Sequence, residues 1–486
     1  MTLLRLIILL SVFYSGFAIS HSDDINDYQR LLTEKLKVNK RLPRDDEVNI
    51  ALDDELTVNF EGKKYKLNNN IHDMGKAIYI ALGRSQYDDV NRLLSYYQKL
   101  NGYDKLLVIY ANAKLSHLNK EYGNAINYYQ QILQKNPDFL RVELELARVY
   151  YENQQNKEAT AQFNQVLDKY AQQLPKHVLD SITQFKNALK KRTAWQGSLS
   201  IGYGYNSNIN QVPGDHRRDC YRSEAKEVCY GVGAATKGQK FIYDANIEKR
   251  IPLYRHHNAL FKAYTYGYKY EKSSQNNENI INIKSYYQYQ DGIKSFAVRP
   301  IVEFKFTADQ QRYYGVGGGI DTEYRFTPKF SVSAIVDYKK LNYRSLYQSS
   351  DGNKSSLYLT NIYAITPDMF FFGGIDGVIR NKQYQSDSYK QYGVRVGAFK
   401  GFSQGFNFLG MASYKKTHFE QAQYTFSNQI RDDDEQLYFI KLSVPRYKLF
   451  TLTPSFSYKF RKNNSSIDVL YSYTQNEVEF KLEKRF

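Results

Sequence analysis

Few residues in this chain have the types and spacing that chemistry requires, and those few point to structure and passage rather than bond-making. Cys220 and Cys229 are the only cysteines, in a polar stretch between two expected strands. After secretion such a pair closes its loop as a disulfide, a staple rather than a redox centre. A zinc site would need more ligands than the nearby His216 supplies. Arg255-His256-His257 could meet a metal, but its place between two strands reads as a solvated polar turn. Gly315-Val-Gly317-Gly318-Gly319 lies inside an alternating strand beside Tyr313 and Tyr314, which favours strand curvature with aromatics over the bare backbone. Nucleotide loops, metalloprotease helices and nucleophile elbows are not found. No catalytic, cofactor or metal residue is therefore assigned, and the chain does not read as an enzyme.

The elements that carry these residues alternate apolar and polar side chains. Phe450, Leu452, Phe456, Tyr458 and Phe460 interleave with Thr451, Thr453, Ser455, Ser457, Lys459 and Arg461. The last segment sets Val478, Phe480, Leu482 and Phe486 against Glu477, Glu479, Lys481, Glu483 and Arg485. A period of two throws one set onto each face of a sheet, and this pairing of faces suits a wall between water and lipid. Fourteen strands are expected, near 194–207, 239–251, 258–271, 279–291, 294–307, 313–327, 329–344, 354–365, 368–381, 388–401, 405–420, 433–445, 447–461 and 475–486. About 9–11 tilted residues suffice for each crossing. Long polar connections alternate with short ones such as Thr366-Pro367-Asp368 and Pro445-Arg446. By the usual rule the short turns face the periplasm, as do both chain ends of the barrel.

The face turned to the lumen is expected to include Asp244, Glu248, Arg250, Lys284, Arg299, Glu303, Lys305, Asp321, Glu323, Arg325, Asp337, Arg395 and Lys441. Two readings stay open: a lining that neutralises itself, or a path for a hydrophilic chain. Gly202 and Gly204 share that face of the first strand, with Asn206 beyond them. Glycine weakens a strand, and this strand must meet the last one, which ends at Phe486. Gly202, Gly204 and Phe486 thus mark a candidate lateral seam, with simple curvature as the other reading.

Ahead of the barrel the period becomes helical, from about residue 71 to 192. Ala113, Ala125, Tyr129 and Ile132 recur about 34 residues later as Ala147, Ala159, Phe163 and Val166, the length of a tetratricopeptide unit. Pro137 stands at the junction of two units. Residues 1–20 read as a signal peptide, with Arg5, an apolar run and Ala18-Ile19-Ser20. Residues 21–70 form a polar periplasmic segment with a small hairpin turning at Glu61-Gly62-Lys63. The expected architecture is an α-helical tetratricopeptide-like solenoid in the periplasm, then a 14-stranded antiparallel transmembrane β-barrel over residues 193–486. A mean hydropathy of −0.62 with 46 tyrosines fits a barrel girdled by aromatics better than a helical membrane protein. The formal charge of +17 admits anionic lipid headgroups or an acidic cargo. Export argues against nucleic acid.

This plan resembles the surface lipoprotein assembly modulators (Slam), a barrel family of Gram-negative bacteria. The resemblance is carried by Phe139-Leu140-Arg141-Val142-Glu143-Leu144-Glu145-Leu146-Ala147-Arg148, by Asn156-Lys157-Glu158-Ala159, by Trp195-Gln196-Gly197-Ser198 and Asn206-Ser207-Asn208-Ile209-Asn210, and by the terminal Phe486. It implies an outer-membrane translocon for surface lipoproteins, or for secreted haem- or metal-binding proteins. It further implies dealings with the barrel assembly machinery, periplasmic chaperones and outer-membrane lipid, and no cofactor. An exopolysaccharide export porin with tetratricopeptide repeats is the alternative, and a nutrient receptor would need a plug domain.

Overall fold

The computed structural model describes residues 57–60, 63–66, 70–214, 218–223, 226–231, 233–422 and 429–486. The expected signal peptide and His216 lie outside the described residues. Strands β1 (Thr57–Phe60) and β2 (Lys63–Lys66) pair antiparallel with Phe60 opposite Lys63, so Lys63 belongs to a strand rather than to the turn.

The helices are α1 (Ile71–Gly83), α2 (Tyr87–Tyr97), α3 (Lys105–Leu118), α4 (Tyr122–Lys135), α5 (Leu140–Glu152), α6 (Asn156–Tyr170) and α7 (Lys176–Thr193). None of the described helices is long and apolar enough to cross a membrane. The repeat read from sequence is the core pattern: Ala113, Ala125, Tyr129, Ala147, Ala159, Phe163 and Val166 are all buried. Alanine lets neighbouring helices approach, and the aromatic fills what remains. A further periodic signal lies in the backbone. Ser85, Lys120 and Gln154 all take left-handed φ (59°, 61° and 61°) at the turn inside each helix pair. The next amide then bonds back to a helix carbonyl each time: Gln86 to Ala81 (2.9 Å), Glu121 to Ser116 (2.8 Å) and Gln155 to Tyr150 (2.9 Å). These are the closing bonds of a helix that ends in a left-handed residue. Successive units are tied by charge. Glu152 on α5 accepts from Arg148 (2.8 Å) and contacts His117 of α3 (2.6 Å). Burial would raise the Glu152 carboxyl, but these two partners outweigh it and hold it below the usual range.

The barrel strands are β3 (Gln196–Asn206), β6 (Gly238–Tyr254), β7 (His257–Tyr270), β8 (Glu278–Gln290), β9 (Lys294–Thr307), β10 (Gln310–Arg325), β11 (Phe330–Tyr343), β12 (Gly352–Thr366), β13 (Met369–Lys382), β14 (Tyr389–Gly401), β15 (Asn407–Phe419), β16 (Asp432–Ser443), β17 (Thr453–Ser465) and β18 (Tyr473–Arg485). They form one closed barrel of fourteen antiparallel strands, with β18 pairing back on β3. Between β3 and β6, a hairpin of β4 (Arg218–Ser223) and β5 (Lys226–Gly231) sets Cys220 opposite Cys229.

Two expectations need correction. The strand placed at 447–461 runs from Thr453 to Ser465, so Pro445-Arg446 is part of a longer connection. Phe450 and Thr451 have left-handed φ (47° and 70°) in a reversal where Leu449 and Leu452 face each other. Alternation continued through this turn because the membrane boundary favours exposed aromatics whatever the backbone does. The second correction concerns turn lengths. Ala308 and Asp309 (φ 52° and 60°) alone join β9 to β10, at the end that otherwise carries the long loops. Left-handed pairs of this kind match the strand twist of a tight hairpin.

Helices and barrel touch through the near-end turns. Lys157 of α6 donates to the Leu253 carbonyl (3.0 Å), and the Arg255 amide donates to Glu158 (3.1 Å). The Gly292 amide, in the β8–β9 turn, reaches Asn153 at 3.4 Å. Arg255-His256 is therefore a docking turn, with Arg255 still exposed and His256 half-buried. Burial pushes the His256 imidazole below its ordinary range, with Asp291 and Glu158 pulling it back, and its Nε2 is buried without a hydrogen-bond partner.

Candidate functional site

Chemistry in this chain converges on the inner face of the barrel and on the joint between β3 and β18. Strand alternation puts the residues expected in the lumen on the inner face. There they meet opposite charges. Arg299 bonds both Asp321 and Asp337. Lys339 bonds Glu303 (3.0 Å), Lys305 bonds Glu278 (3.1 Å), Lys262 bonds Glu248 (3.0 Å), and Arg395 pairs with Asp376. Much of the lining is thus paired within itself, which offsets the cost of burying charge. Lys240, Lys305, Arg395 and Arg461 expose 2% or less of their surface. Long side chains this sealed do not front a water-filled bore.

Two inner features escaped the sequence reading. Ile335, Tyr358, Phe372, Leu409, Met411 and Leu437 form an apolar patch on the inner wall, packed with Phe370, Phe399 and Phe439. The run Phe370-Phe371-Phe372 breaks alternation and was the available signal. Tyr264, Tyr266, Tyr268 and Tyr270 are the other feature, spaced by two along the inner face of β7. Tyrosine was expected in the outer girdle, where Tyr203, Tyr287, Tyr338 and Tyr392 do stand exposed. Inside, lysines cover the rings instead: Lys284 over Tyr264 (5.5 Å), Lys481 over Tyr266 (5.9 Å) and Lys240 over Tyr268 (5.1 Å).

The glycines prove to be sites of close approach. On β10, a side chain at Gly319 would strike Asp337 and Arg299, and one at Gly317 would strike the Tyr338 carbonyl. Ion pairs between β9 and β11 thus pass over β10, where aromatic cover had been expected. On β3, a Cβ at Gly202 would strike the Phe480 carbonyl and lie 2.6 Å from Lys481 Cγ. One at Gly204 would lie 3.2 Å from Glu479 Cγ. The β3–β18 ladder runs from Ser198 opposite Arg485 to Asn206 opposite Glu477. It continues at one end through reciprocal Gly197–Phe486 bonds (3.0 and 3.1 Å) and at the other through Ser207 to Asn476 (2.9 Å). The Phe486 ring lies on Gly197, where a Cβ would meet it at 2.7 Å. Gly202, Gly204 and Phe486 all border the β3–β18 joint, the glycines within its paired ladder and Phe486 at its Gly197 end.

Comparison with known proteins places this architecture. The sequence profile of the surface lipoprotein assembly modifier family matches residues 195–486, and the profile of that family's N-terminal TPR repeats matches residues 60–163. The hemophilin secretion modulator of Acinetobacter baumannii is 33% identical over 439 residues, covering 87% of this chain and 88% of that protein. A surface lipoprotein assembly modifier of Moraxella catarrhalis is 25% identical over 413 residues, covering 83% of this chain and 78% of that one. Among solved structures, the outer membrane channel DcaP of Acinetobacter baumannii aligns with 60% of this chain and 96% of its own, at 11% identity and a TM-score of 0.36. The chain belongs to the surface lipoprotein assembly modifier family, as an outer-membrane barrel of fourteen strands with its helical repeats in the periplasm.

Proposed function

We propose that this protein is a translocon that carries lipoproteins, or related soluble haem- or metal-binding proteins, from the periplasm to the cell surface. The observation that carries the reading is the docking of a repeat array on the turns at one end of a closed barrel. The array captures cargo at the mouth, and the barrel passes it. A soluble haem-protein cargo draws support from the relative named for hemophilin secretion, and a lipidated cargo from the family's name. The family's name, rather than any feature of the bore, favours this reading over a polysaccharide export porin.

A barrel of this strand number is too narrow for a typical folded domain, so cargo crosses unfolded. Folding outside, which yields about 5–15 kcal/mol for a domain, gives the direction. A lipidated cargo must also bring acyl chains past the wall, and the β3–β18 seam is the exit. Chaperones keep the cargo unfolded before capture, and the barrel assembly machinery reads the strand that ends in Phe486.

The test is reconstitution in a Gram-negative host that lacks such exporters. Candidate lipidated and non-lipidated cargo genes, taken from beside this gene, are expressed with and without it. The expected result is cargo accessible to external protease only when the barrel is present. Equal accessibility without it would overturn the proposal. Deleting Phe486 should reduce the amount of barrel in the membrane while leaving export per barrel unchanged.

A further inference from the structure

The two inner glycines of β3 do more than thin the strand. Lys240, on β6, stands directly opposite Gly204 on one side, and Glu479, on β18, stands directly opposite it on the other. With no side chain between them, Lys240 reaches across β3 to Glu479 at 2.9 Å and to Glu477 at 2.6 Å. Lys481, directly opposite Gly202, also reaches over β3, but obliquely, to Asp244, which stands opposite Ser200 on β6, at 3.7 Å. Glu477 is shared with Lys459 of β17 (2.7 Å), and Glu479 with Lys481 (3.1 Å). The joint between the chain's first and last barrel strands is thus closed twice. One layer is the backbone ladder, and the other is a charge bridge that skips a strand.

The same construction occurs over β10, where Arg299 and Glu303 of β9 meet Asp337 and Lys339 of β11. Those strands follow one another in the chain through short connections, so the bridge there ties what is already tied. At β3 it joins β6 to β18, which no short connection links. Parting the β3–β18 ladder alone would leave β18 held to β6. We infer that Lys240 is the latch of the seam, and that the seam opens towards lipid only when Lys240 releases Glu477 and Glu479. This inference rests on the lateral exit proposed above and names the group that controls it.

Hydrogen–deuterium exchange of the full-length protein in lipid nanodiscs, with no cargo present, tests the latch. Lys240→Gln should speed exchange of the β3 and β18 amides at least tenfold and leave β10 and β11 unchanged. Lys339→Gln, which breaks the corresponding bridge over β10, should leave the seam unchanged. Lys240→Arg should restore slow exchange. Glu479→Gln, which keeps the side chain's shape, should speed the seam by a smaller factor, and it serves if Lys240→Gln does not assemble. Seam exchange at the wild-type rate in Lys240→Gln, or in Glu479→Gln where that variant must serve, would overturn the latch. So would equal acceleration by Lys339→Gln. Cargo display is measured separately: a seam that opens without changing display keeps the latch and removes the lateral exit.

Discussion

At the residue scale, the informative side chains are those whose neighbours forbid water. His256 sits in the docking turn with Asp291, Glu158, Arg255 and His257 around it, and burial dominates by disfavouring its charged form. Its folded-state pKa is lowered, so the imidazole is neutral when docked. As pH falls through about 6.5, the ordinary histidine value, the released or unfolded turn takes up a proton before the docked one does. The docked state then loses stability progressively towards the lowered value, and none is lost above neutrality. The expected outcome is a thermal unfolding midpoint for the full chain that drops between pH 7.5 and 5.5, and a shallower drop in His256→Gln. Identical pH profiles for the two proteins would rule this residue out. The sequence showed the histidines plainly, yet their role was hidden, because the Arg255 amide finds its acceptor, Glu158, 97 residues away.

Elements were the most legible level, and their failures are instructive. The helical repeat was visible because a buried aromatic between two alanines has to return each time two helices stack. Phe163 is 1% exposed and stacks on Phe185 at 5.3 Å. Phe163→Ala should destabilise the array by about 3–5 kcal/mol, the range for emptying a buried aromatic site, as read from chemical denaturation followed by helical circular dichroism. A loss below about 1 kcal/mol would mean that the array repacks around the gap. The barrel strands were visible by parity, and thirteen of the fourteen start and end within about three residues of expectation, which suits the usual uncertainty of boundaries. The exception, β17, slipped because Phe450 and Leu452 serve the lipid boundary while the backbone reverses. Parity also predicted which residues face inward. It could not show that Gly204 and Gly319 are vacant so that strands on either side can join, since that contact lies between residues far apart in the chain.

For the whole molecule, the question is how much each part needs the other. Hydrogen bonds between them include those at Leu253, Arg255 and Gly292 and one from the Gln196 side-chain amide to the Lys191 carbonyl (2.7 Å). The barrel closes on its own strands. Residues 193–486 expressed alone should therefore reach the outer membrane and show the heat-modifiable migration of a folded barrel. A chain that never does so would show that the array acts in assembly as well as in capture.

The charge bridge over β3 also bears on how the barrel finds its correct form. Lys240 and Glu477 lie 237 residues apart, and bringing such distant points of a free chain together costs about 5 kcal/mol in loop-closure entropy. Closing the ring is the step with the longest reach. It is also the step at which a strand can slide. A slip of one residue turns the charged face of β18 towards lipid. A slip of two in one direction replaces Glu479 with Lys481 opposite Gly204, and Lys240 then meets a like charge in a sealed place. Removing a buried ion's partner costs about 3–5 kcal/mol, comparable to the closure cost itself. The pattern Glu477, Glu479, Lys481 thus resists a slip in that direction, and the barrel biases its own closure by electrostatics.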